Sequence, residues 1–393
     1  MTKAFAFYFP QFCQEPLNDK AWYPGFTDWD LIKNILIRQG TNRHDFAPAD
    51  GFYSQDSSLV VRSQVKAAKS MGLHGFCVYH YWFNGTSALQ HPLDLLRETT
   101  GDGEFKYFLC WANESWTNRW AGRDEDVIIA QMYDFNVKHI EKHVKFLKSY
   151  FTTPGYFQIN GRPVFAIYNL NSKEFREILE VYFEIFHRFD VNPYFVAMET
   201  DFVSTQINRK FEMSVRFEPR AHFSFLRQQH GKHLYWGVRS LTSRFPGFAR
   251  FLASNFVDKS RMYSYATYSQ YLETSLENLA KRAMGGEVVS TSMIAHWDNS
   301  PRYLDRATAF SGVTESLVEE VLRKVITWSE NHQTPFFLIN AWNEWTEGAT
   351  LEQRLQQDFN FGEIVRRNLI SKNLNPSHSS PSGHTNSTIH LLR

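Results

Sequence analysis

The chain has 393 residues and is nearly balanced in charge, with 42 Lys and Arg against 41 Asp and Glu. This balance excludes the strongly basic surface that is typical of proteins that bind nucleic acid or an anionic membrane. Three cysteines, Cys13, Cys77 and Cys110, are too few and too far apart for a disulfide framework or a zinc cluster. Aromatic residues make up 16% of the chain, and their flat apolar faces with polar edges favour a site for a partly apolar ligand such as a sugar.

The first twelve residues, MTKAFAFYFPQF, contain an apolar run that is too short for a secretory signal. No run in the chain approaches the roughly 20 apolar residues of a membrane span. We therefore expect a cytoplasmic protein without membrane insertion, and the alternative is a processed chain that has lost its leader. The sequence leaves the oligomeric state open.

Short apolar runs alternate with longer amphipathic stretches, which is the pattern of repeated βα units. The predicted strands, in chain order, are Ala4–Phe9, Gly75–Tyr81, Phe105–Trp111, Pro163–Tyr168, Tyr194–Met198, Ser214–Phe217, Val288–Met293 and Pro335–Trp342. The predicted helices are Leu59–Met71, Asn136–Tyr150, Lys173–Phe189 and Glu315–Glu330. Eight strands with intervening helices favour an α/β fold of the single (β/α)8 TIM barrel type over an open doubly wound sheet. The first strand is also not followed by a glycine-rich phosphate loop.

We expect one catalytic barrel over residues 1–370. A long insertion at about residues 220–286, between strands six and seven, is expected to form a lid or wall of the site. Residues 371–393 are rich in Ser, Pro and Asn and are expected to be a disordered tail.

A barrel of this kind places its chemistry at the C-terminal ends of its strands. In this chain those ends carry aromatic, amide and carboxylate side chains, which together are typical of a saccharide site. The residues that we predict to bind the substrate are Tyr8, Gln11, Tyr81, Trp82, Trp111, Asn113, Glu114, Trp116, Tyr168, Trp297, Asp298, Trp342 and Asn343. Two of them have a structural alternative: Glu114 could pair with Arg119 to brace its loop, and Asp298 could form a turn through its own side chain.

Two glutamates, Glu344 and Glu347, follow the last predicted strand at a spacing of three residues. In a helical turn, side chains at i and i+3 share one face. Glycoside chemistry uses paired carboxylates, of which one is protonated and the other ionised. We predict that this pair is catalytic, and the alternative is that one glutamate stabilises the N-terminus of a helix.

Six motifs in collinear order between residues 4 and 352 resemble the WbsX-like family, which is related to glycoside hydrolase family 99, the endo-α-mannosidases. The motifs are Tyr8–Phe12, Gly25–Trp29, Tyr81–Gly85, Trp111–Glu114, Trp297–Asn299 and Asn340–Gly348. The resemblance implies a (β/α)8 barrel that needs no metal or other cofactor. It also implies that Glu347 is the general acid/base. Glu344 would take the proton of the substrate's own 2-hydroxyl, which gives a 1,2-anhydro sugar and net retention.

The sequence departs from the family pattern in two places. Cys13 stands where relatives tend to have histidine, which puts a polar contact at strand one in doubt. Leu351–Gln353 replaces the common Leu-Glu-Pro, so that the loop after the glutamate pair is expected to differ.

The resulting prediction is a glycoside hydrolase that is retaining and endo-acting on an α-linked poly- or oligosaccharide. One alternative is a glycosyltransferase in surface-polysaccharide biosynthesis, of O-antigen or capsule, although the sequence contains no obvious Asp-x-Asp metal motif. A second alternative is a non-catalytic carbohydrate-binding protein, which would be favoured if one of the two glutamates faced away from the cleft. We predict no metal site, because no His, Cys and carboxylate cluster has ligand spacing.

Overall fold

The computed structural model describes residues 2–38, 45–117, 127–133, 136–170, 172–201, 211–230, 261–304 and 307–374. Eight parallel strands close into a barrel in chain order. They are β1 Lys3–Tyr8, β2 Gly75–Phe83, β3 Lys106–Trp111, β4 Arg162–Ile167, β5 Tyr194–Glu199, β6 Met213–Arg216, β7 Val289–Ile294 and β8 Phe336–Asn340. Each strand pairs with the next, and β8 returns to β1 with Lys3 opposite Phe336. The predicted (β/α)8 barrel is therefore confirmed.

The strands alternate with helices that cover the outside of the barrel. The helices are α1 Pro16–Ala21, α2 Asp28–Arg38, α3 Ser58–Ser70, α4 Gln90–Thr99, α5 Val137–Phe151, α6 Lys173–Arg188, α7 Arg220–His230, α8 Tyr265–Met284, α9 Ser300–Tyr303, α10 Glu315–Asn331 and α11 Phe361–Leu374. Local sequence explains several of their ends. The side chain of Asn136 accepts a hydrogen bond from the Lys138 N–H at the start of α5, and Ser172 accepts one from the Phe175 N–H at the start of α6.

Short strands extend the ends of the barrel. The antiparallel pairs are Thr86–Ala88 with β2, Gln158–Ile159 with β4, Trp116–Thr117 with Val127–Ile129, and Asn343–Glu344 with Ala349–Thr350. Arg261–Ser264 pairs in parallel with Thr308–Ser311. A 3-10 turn over Trp345–Glu347 lies inside the last antiparallel pair.

Side chains of the barrel strands alternate between the interior and the outer helices. Phe5, Phe108 and Phe336 meet inside the barrel, with ring centroids 5.2–5.7 Å apart. Nearer the C-terminal end of the strands, Phe7 stacks on Tyr79 at 5.3 Å. The interior is thus filled with aromatic layers, and the open end of the barrel lies above them.

The predicted insertion at residues 220–286 contains α7, a short strand and α8, while residues 231–260 lie outside the described residues. Helix α8 packs on the barrel in the manner of the other outer helices. The Tyr265 hydroxyl donates to the Ile294 carbonyl over 2.7 Å, and the Tyr268 hydroxyl accepts from the Ile294 N–H over 3.3 Å. This second half of the predicted insertion therefore contributes to the barrel wall.

The predicted tail boundary at residue 371 falls inside α11, and residues 375–393 lie outside the described residues. Within the described ranges, none of the helices combines the length and the apolar character that crossing a membrane requires.

Candidate active site

The two predicted catalytic glutamates lie on a tight turn directly after β8. Glu344 ends a two-residue strand, Glu347 ends the 3-10 turn, and Gly348 follows in the left-handed region with a φ of 62°. A Cβ on Gly348 would lie only 2.9 Å from the backbone nitrogen of Asp298. Glycine is therefore needed both for the backbone conformation and for the close approach of the turn after β7.

A single arginine joins the two glutamates. One terminal nitrogen of Arg302 donates to Glu347 Oε1 over 2.8 Å, and the other donates to Glu344 Oε1 over 3.0 Å. Asp28, on α2, lies 3.6 Å from the same guanidinium. Arg302 is 6% exposed and Glu344 1% exposed, whereas the side chain of Glu347 is 18% exposed. The pair thus has one deeply buried member and one that reaches the open end of the barrel.

The short helix that carries Arg302 is held on the glutamate turn by the two residues before it, Asp298 and Asn299. The side chain of Asp298 accepts from the Ser300 N–H over 2.9 Å, and its backbone N–H donates to the Glu347 carbonyl over 2.8 Å. The side chain of Asn299 accepts from the Thr308 N–H over 2.7 Å. These hydrogen bonds fix the backbone before Arg302 and so place its side chain next to the two glutamates.

Burial raises the pKa of Glu344 to about 8, and the nearby charge of Glu347 adds to this effect while Arg302 opposes it. Burial also raises the pKa of Asp28 to about 6, again against the influence of Arg302. Glu344 Oε1 accepts a second hydrogen bond, from the Thr346 hydroxyl over 2.6 Å. Glu344 Oε2 is buried and has no hydrogen-bond partner among the described residues, so that one oxygen is fixed by two donors and the other by none.

Aromatic side chains from the interior face of the strands lie beside this pair. Gln11 donates to the Tyr81 hydroxyl over 2.6 Å, and the charge of Glu344 raises the pKa of Tyr81 further, after the larger effect of burial. The Trp116 ring meets the Tyr81 ring edge-on at 5.1 Å. Tyr168 meets Tyr79 at 6.0 Å. Gln11, Tyr81, Trp116 and Tyr168 therefore lie together at the open end, and their contact with a substrate stays a prediction.

Four residues predicted to bind substrate face the outer helices instead. Their side chains point away from the glutamate pair and pack between the barrel and its outer helices. The Tyr8 hydroxyl donates to Gln64 on α3, and the Trp342 indole donates to Glu352 over 3.1 Å. The Trp82 ring stacks on His143 of α5 at 4.5 Å, and Trp111 packs on His143 and on Tyr182 of α6.

Two predicted amide ligands have both ends of their side chains engaged by the backbone. Asn343 accepts from the Phe9 N–H and donates to the Phe9 carbonyl. Asn113 does the same with the N–H and carbonyl of Asn169. Both residues are nearly inaccessible, so their role is to tie neighbouring loops together at the end of the barrel.

The remaining predicted residues divide between the alternatives. Asp298 forms a turn through its own side chain, which accepts from the Ser300 N–H at the start of α9. The Trp297 indole donates to the Thr308 hydroxyl over 3.1 Å. Glu114 is half-buried and accepts from the Asn169 side chain over 3.1 Å, while its proposed partner Arg119 lies outside the described residues.

Sequence reasoning did not include Arg302, Asp28 or Glu352 in the site. Asp28 lies within the motif Gly25–Trp29, and Arg302 lies three residues after the motif Trp297–Asn299, so the available signal was a charged residue in or near an aromatic motif. Glu352 accepts hydrogen bonds from four side chains and supports the glutamate turn from behind. Its donors are Tyr53, Gln64, Trp342 and Trp345. Among the residues that the structure describes, no three His, Cys, Asp or Glu side chains are grouped to hold a metal ion.

The family model described as "Glycosyltransferase WbsX" matches residues 4–365. The chain belongs to this family. The match confirms the resemblance that the six motifs indicated, and it includes every predicted site residue. The description of the family names a transferase, whereas the related family suggested by the motifs consists of hydrolases.

Two curated relatives are similar over most of the chain. They are proteins called "Uncharacterized protein WxcX" from two strains of Xanthomonas campestris pv. campestris, and each is 26% identical over 392 residues. The alignments cover 93% of this chain and 49% of the relatives. The chain therefore spans about half the length of the curated relatives it matches.

Solved structures of a family 99 endo-α-mannosidase from Bacteroides thetaiotaomicron have a similar fold. With BIS-TRIS-propane bound, that enzyme gives a TM-score of 0.53 at 10% identity, covering 95% of this chain and 96% of its own. A second structure of the same enzyme gives 0.53 at 10% identity over 94% and 96%. At this identity the likeness shows the barrel architecture alone.

Proposed function

We propose that the open end of the barrel cleaves a glycosidic bond in a poly- or oligosaccharide, with Glu344 and Glu347 as the catalytic pair. The observation that carries the proposal is the Arg302 bridge, which joins a buried glutamate to a more exposed one at the C-terminal end of the strands. Such a pair of carboxylates in different environments is what acid/base chemistry on a glycosidic oxygen requires. The aromatic side chains beside it supply the flat surfaces on which sugars stack.

In the proposed reaction, Glu347 donates a proton to the leaving oxygen while ionised Glu344 takes the proton of the 2-hydroxyl. The 2-oxygen then bonds to C1 as the glycosidic C–O bond breaks, which gives a 1,2-anhydro sugar. A water molecule next attacks C1 and loses its proton to Glu347. The C1–O2 bond of the anhydro ring breaks in this step, and the 2-oxygen regains its proton from Glu344. Two inversions at C1 give net retention, with an internal α-linkage as the proposed substrate.

The hydrogen bonds of Glu344 support its part in this scheme. Arg302 and Thr346 both donate to Oε1, which fixes the carboxylate and favours its ionised form. Oε2 is buried and has no partner among the described residues, so that a sugar hydroxyl would reach it only after neighbouring side chains move. The exposure of Glu347 fits the other role, because the acid/base must contact the water molecule that attacks in the second step.

Transfer to a sugar hydroxyl is a second candidate function, and the description of the family favours it. The same residues would act, since an acceptor hydroxyl replaces water in the second step and loses its proton to Glu347. The carbohydrate-binding alternative required one glutamate to face away from the cleft, and the Arg302 bridge holds both members of the pair together.

The test is a screen of polysaccharides from the surface of the source organism for cleavage, with the first product followed by NMR. We expect a shortened glycan whose new reducing end has the α-configuration before mutarotation, and no cleavage by Glu347→Gln. A β-configured first product would contradict the retaining scheme. A lengthened glycan, formed with consumption of a nucleotide sugar and restored by Mn²⁺ after EDTA, would establish the transferase instead.

A further inference from the structure

Three side chains near the catalytic pair have donor groups without a hydrogen-bond partner among the residues that the structure describes. Tyr79 and Tyr168 point into the open end of the barrel, and Arg220 begins α7. The Arg220 guanidinium lies over the Tyr168 ring, 5.3 Å from its centroid, and it is close enough to Tyr79 to interact with it electrostatically. We call these three residues the donor cluster.

The donor cluster is held in place by buried neighbours. Glu218, two residues before Arg220, accepts from the Tyr271 hydroxyl over 2.9 Å and from the His222 N–H over 3.1 Å. The Glu218 backbone is fixed as well, because its N–H donates to Ser292 over 2.7 Å and its carbonyl accepts from Asn340 over 3.0 Å. Arg220 therefore emerges from a rigid backbone, although its side chain is exposed.

None of the three donor groups has a hydrogen-bond acceptor within the described part of the chain. The guanidinium of Arg220 makes no ion pair there, and its contact is with the face of the Tyr168 ring. The Tyr79 and Tyr168 hydroxyls are likewise without a partner and are not sealed from solvent. Burial raises the pKa of both phenols well above its ordinary value, so that each hydroxyl keeps its proton and can donate.

Two carboxylates, Glu114 and Glu347, act on Arg220 through their charge. Each is already engaged elsewhere, since Glu114 accepts from Asn169 and Glu347 is paired with Arg302. Neutral sugars present hydroxyls that both donate and accept, and sites for them supply both kinds of partner. The guanidinium of Arg220 supplies donors alone and carries a charge that no ion pair neutralises within the described residues. The two phenol hydroxyls can accept as well as donate, so it is the charge of Arg220 that favours a group of anionic acceptor oxygens.

We propose that Tyr79, Tyr168 and Arg220 bind an anionic oxygen group, a carboxylate or a phosphate, carried by the carbohydrate substrate. This inference rests on the proposed function and narrows it to acidic or phosphorylated sugars. The anion would lie beside the catalytic pair, with the guanidinium supplying two parallel donors and the phenols the remaining ones. The substrate would then be oriented by its charge before the glycosidic oxygen reaches Glu347.

The test compares binding of three matched ligands by the full chain at low salt, in the gluco, galacto and manno series. The ligands are the neutral methyl α-glycoside, the methyl α-glycoside of the uronic acid, and the α-sugar 1-phosphate. We expect at least one anionic ligand to bind about tenfold more tightly than the neutral one, which is the effect of one charge-assisted contact. The uronate and phosphate arms distinguish the two sources of negative charge.

Arg220→Gln should remove this preference, and Tyr168→Phe should reduce it while the ring that supports the guanidinium stays. Arg62→Gln, on the outer helix α3, is the matched control and should keep the preference. Equal affinity for neutral and anionic ligands, or a preference that survives in Arg220→Gln, would overturn the inference alone. Failure of every carbohydrate to bind, with no cleavage of any glycan, would overturn the proposed function and the inference together.

Discussion

The backbone N–H of Asp298 donates to the carbonyl oxygen of Glu347 over 2.8 Å, and this bond joins the turn after β7 to the turn after β8. The side chain of Asp298 meanwhile accepts from the Ser300 N–H at the start of the helix that carries Arg302. Asp298 therefore helps to set the distance between Arg302 and Glu347. The geometry of the pair depends on how closely these two turns approach.

Gly348→Ala tests that approach. The new Cβ would meet the Asp298 backbone at 2.9–3.0 Å, so we expect the turns to separate and kcat to fall while the protein still folds. The positive φ adds a strain of roughly 1 kcal/mol. Gly312→Ala is the matched control, because its φ of 68° is similar and nothing lies within 4 Å of its Cβ. An equal loss of activity in Gly348→Ala and Gly312→Ala would show that the close approach of Gly348 to Asp298 is not what activity depends on.

Glu344→Gln and Glu347→Gln should each lower turnover by about 10²–10⁴-fold, which is the usual contribution of a general acid or base. A glycosyl fluoride needs little protonation on departure, and it should therefore partly restore Glu347→Gln and not Glu344→Gln. The measurements are kcat/KM with both leaving groups and the melting temperature of each variant. If the fluoride restored the activity of both variants equally, the roles assigned to Glu344 and Glu347 would be wrong.

The pH profile reports the protonation of Glu344. Burial raises the pKa of Glu344 to about 8, and the proposed base is active only when ionised, so we expect kcat/KM to rise with pH through this range. The charge of Asp28 raises the pKa of Glu344. Asp28→Asn should therefore move this limb of the profile to lower pH.

Asp102→Asn, an exposed change at the opposite end of the barrel, is the control for that shift. A limb that falls with rising pH near 8 and that moves in Asp28→Asn would make Glu344 the acid. Because Glu344 and Glu347 interact, the apparent values belong to the pair, and the direction of the shift is the decisive observation.

Trp111 and Tyr81 separate the outer and inner faces of the barrel wall. Trp111 is buried against α5 and α6, so Trp111→Ala should cost roughly 3–5 kcal/mol in the free energy of unfolding and leave KM unchanged. Tyr81→Phe removes a hydroxyl beside Glu344 and should raise KM with a small change in melting temperature. A loss of substrate affinity in Trp111→Ala without a loss of stability would show that Trp111 binds the substrate.

The eight strands could be predicted because each is a short apolar run between helices or turns, and the predicted β3 differs from the observed one by a single residue at its start. Helix α4 was missed, since it is short and carries a proline at Pro92. Helix α8 was assigned to a loop insertion because aromatic and polar residues interrupt its apolar pattern.

The site was predicted less completely, for a physical reason. A strand end shows which residue types are present, but a shift of one position turns a side chain from the interior to the outer helices. This separates Tyr81, which faces the glutamates, from Trp82, which stacks on His143. Contacts such as that of Asp28 with Arg302 join distant parts of the chain and leave no local pattern.

The contact of Asp28 with Arg302 has a consequence for the order in which activity and structure are lost on unfolding. Asp28 follows the first strand and Arg302 the seventh, so that they meet only across the seam where β8 returns to β1. The pairing of β8 with β1 thus closes the barrel and at the same time brings Asp28 to Arg302 beside Glu344. Local unfolding of α2 would remove Asp28 from Arg302 while the aromatic interior of the barrel stays folded. We therefore expect the proposed activity to be lost at lower denaturant concentrations than secondary structure.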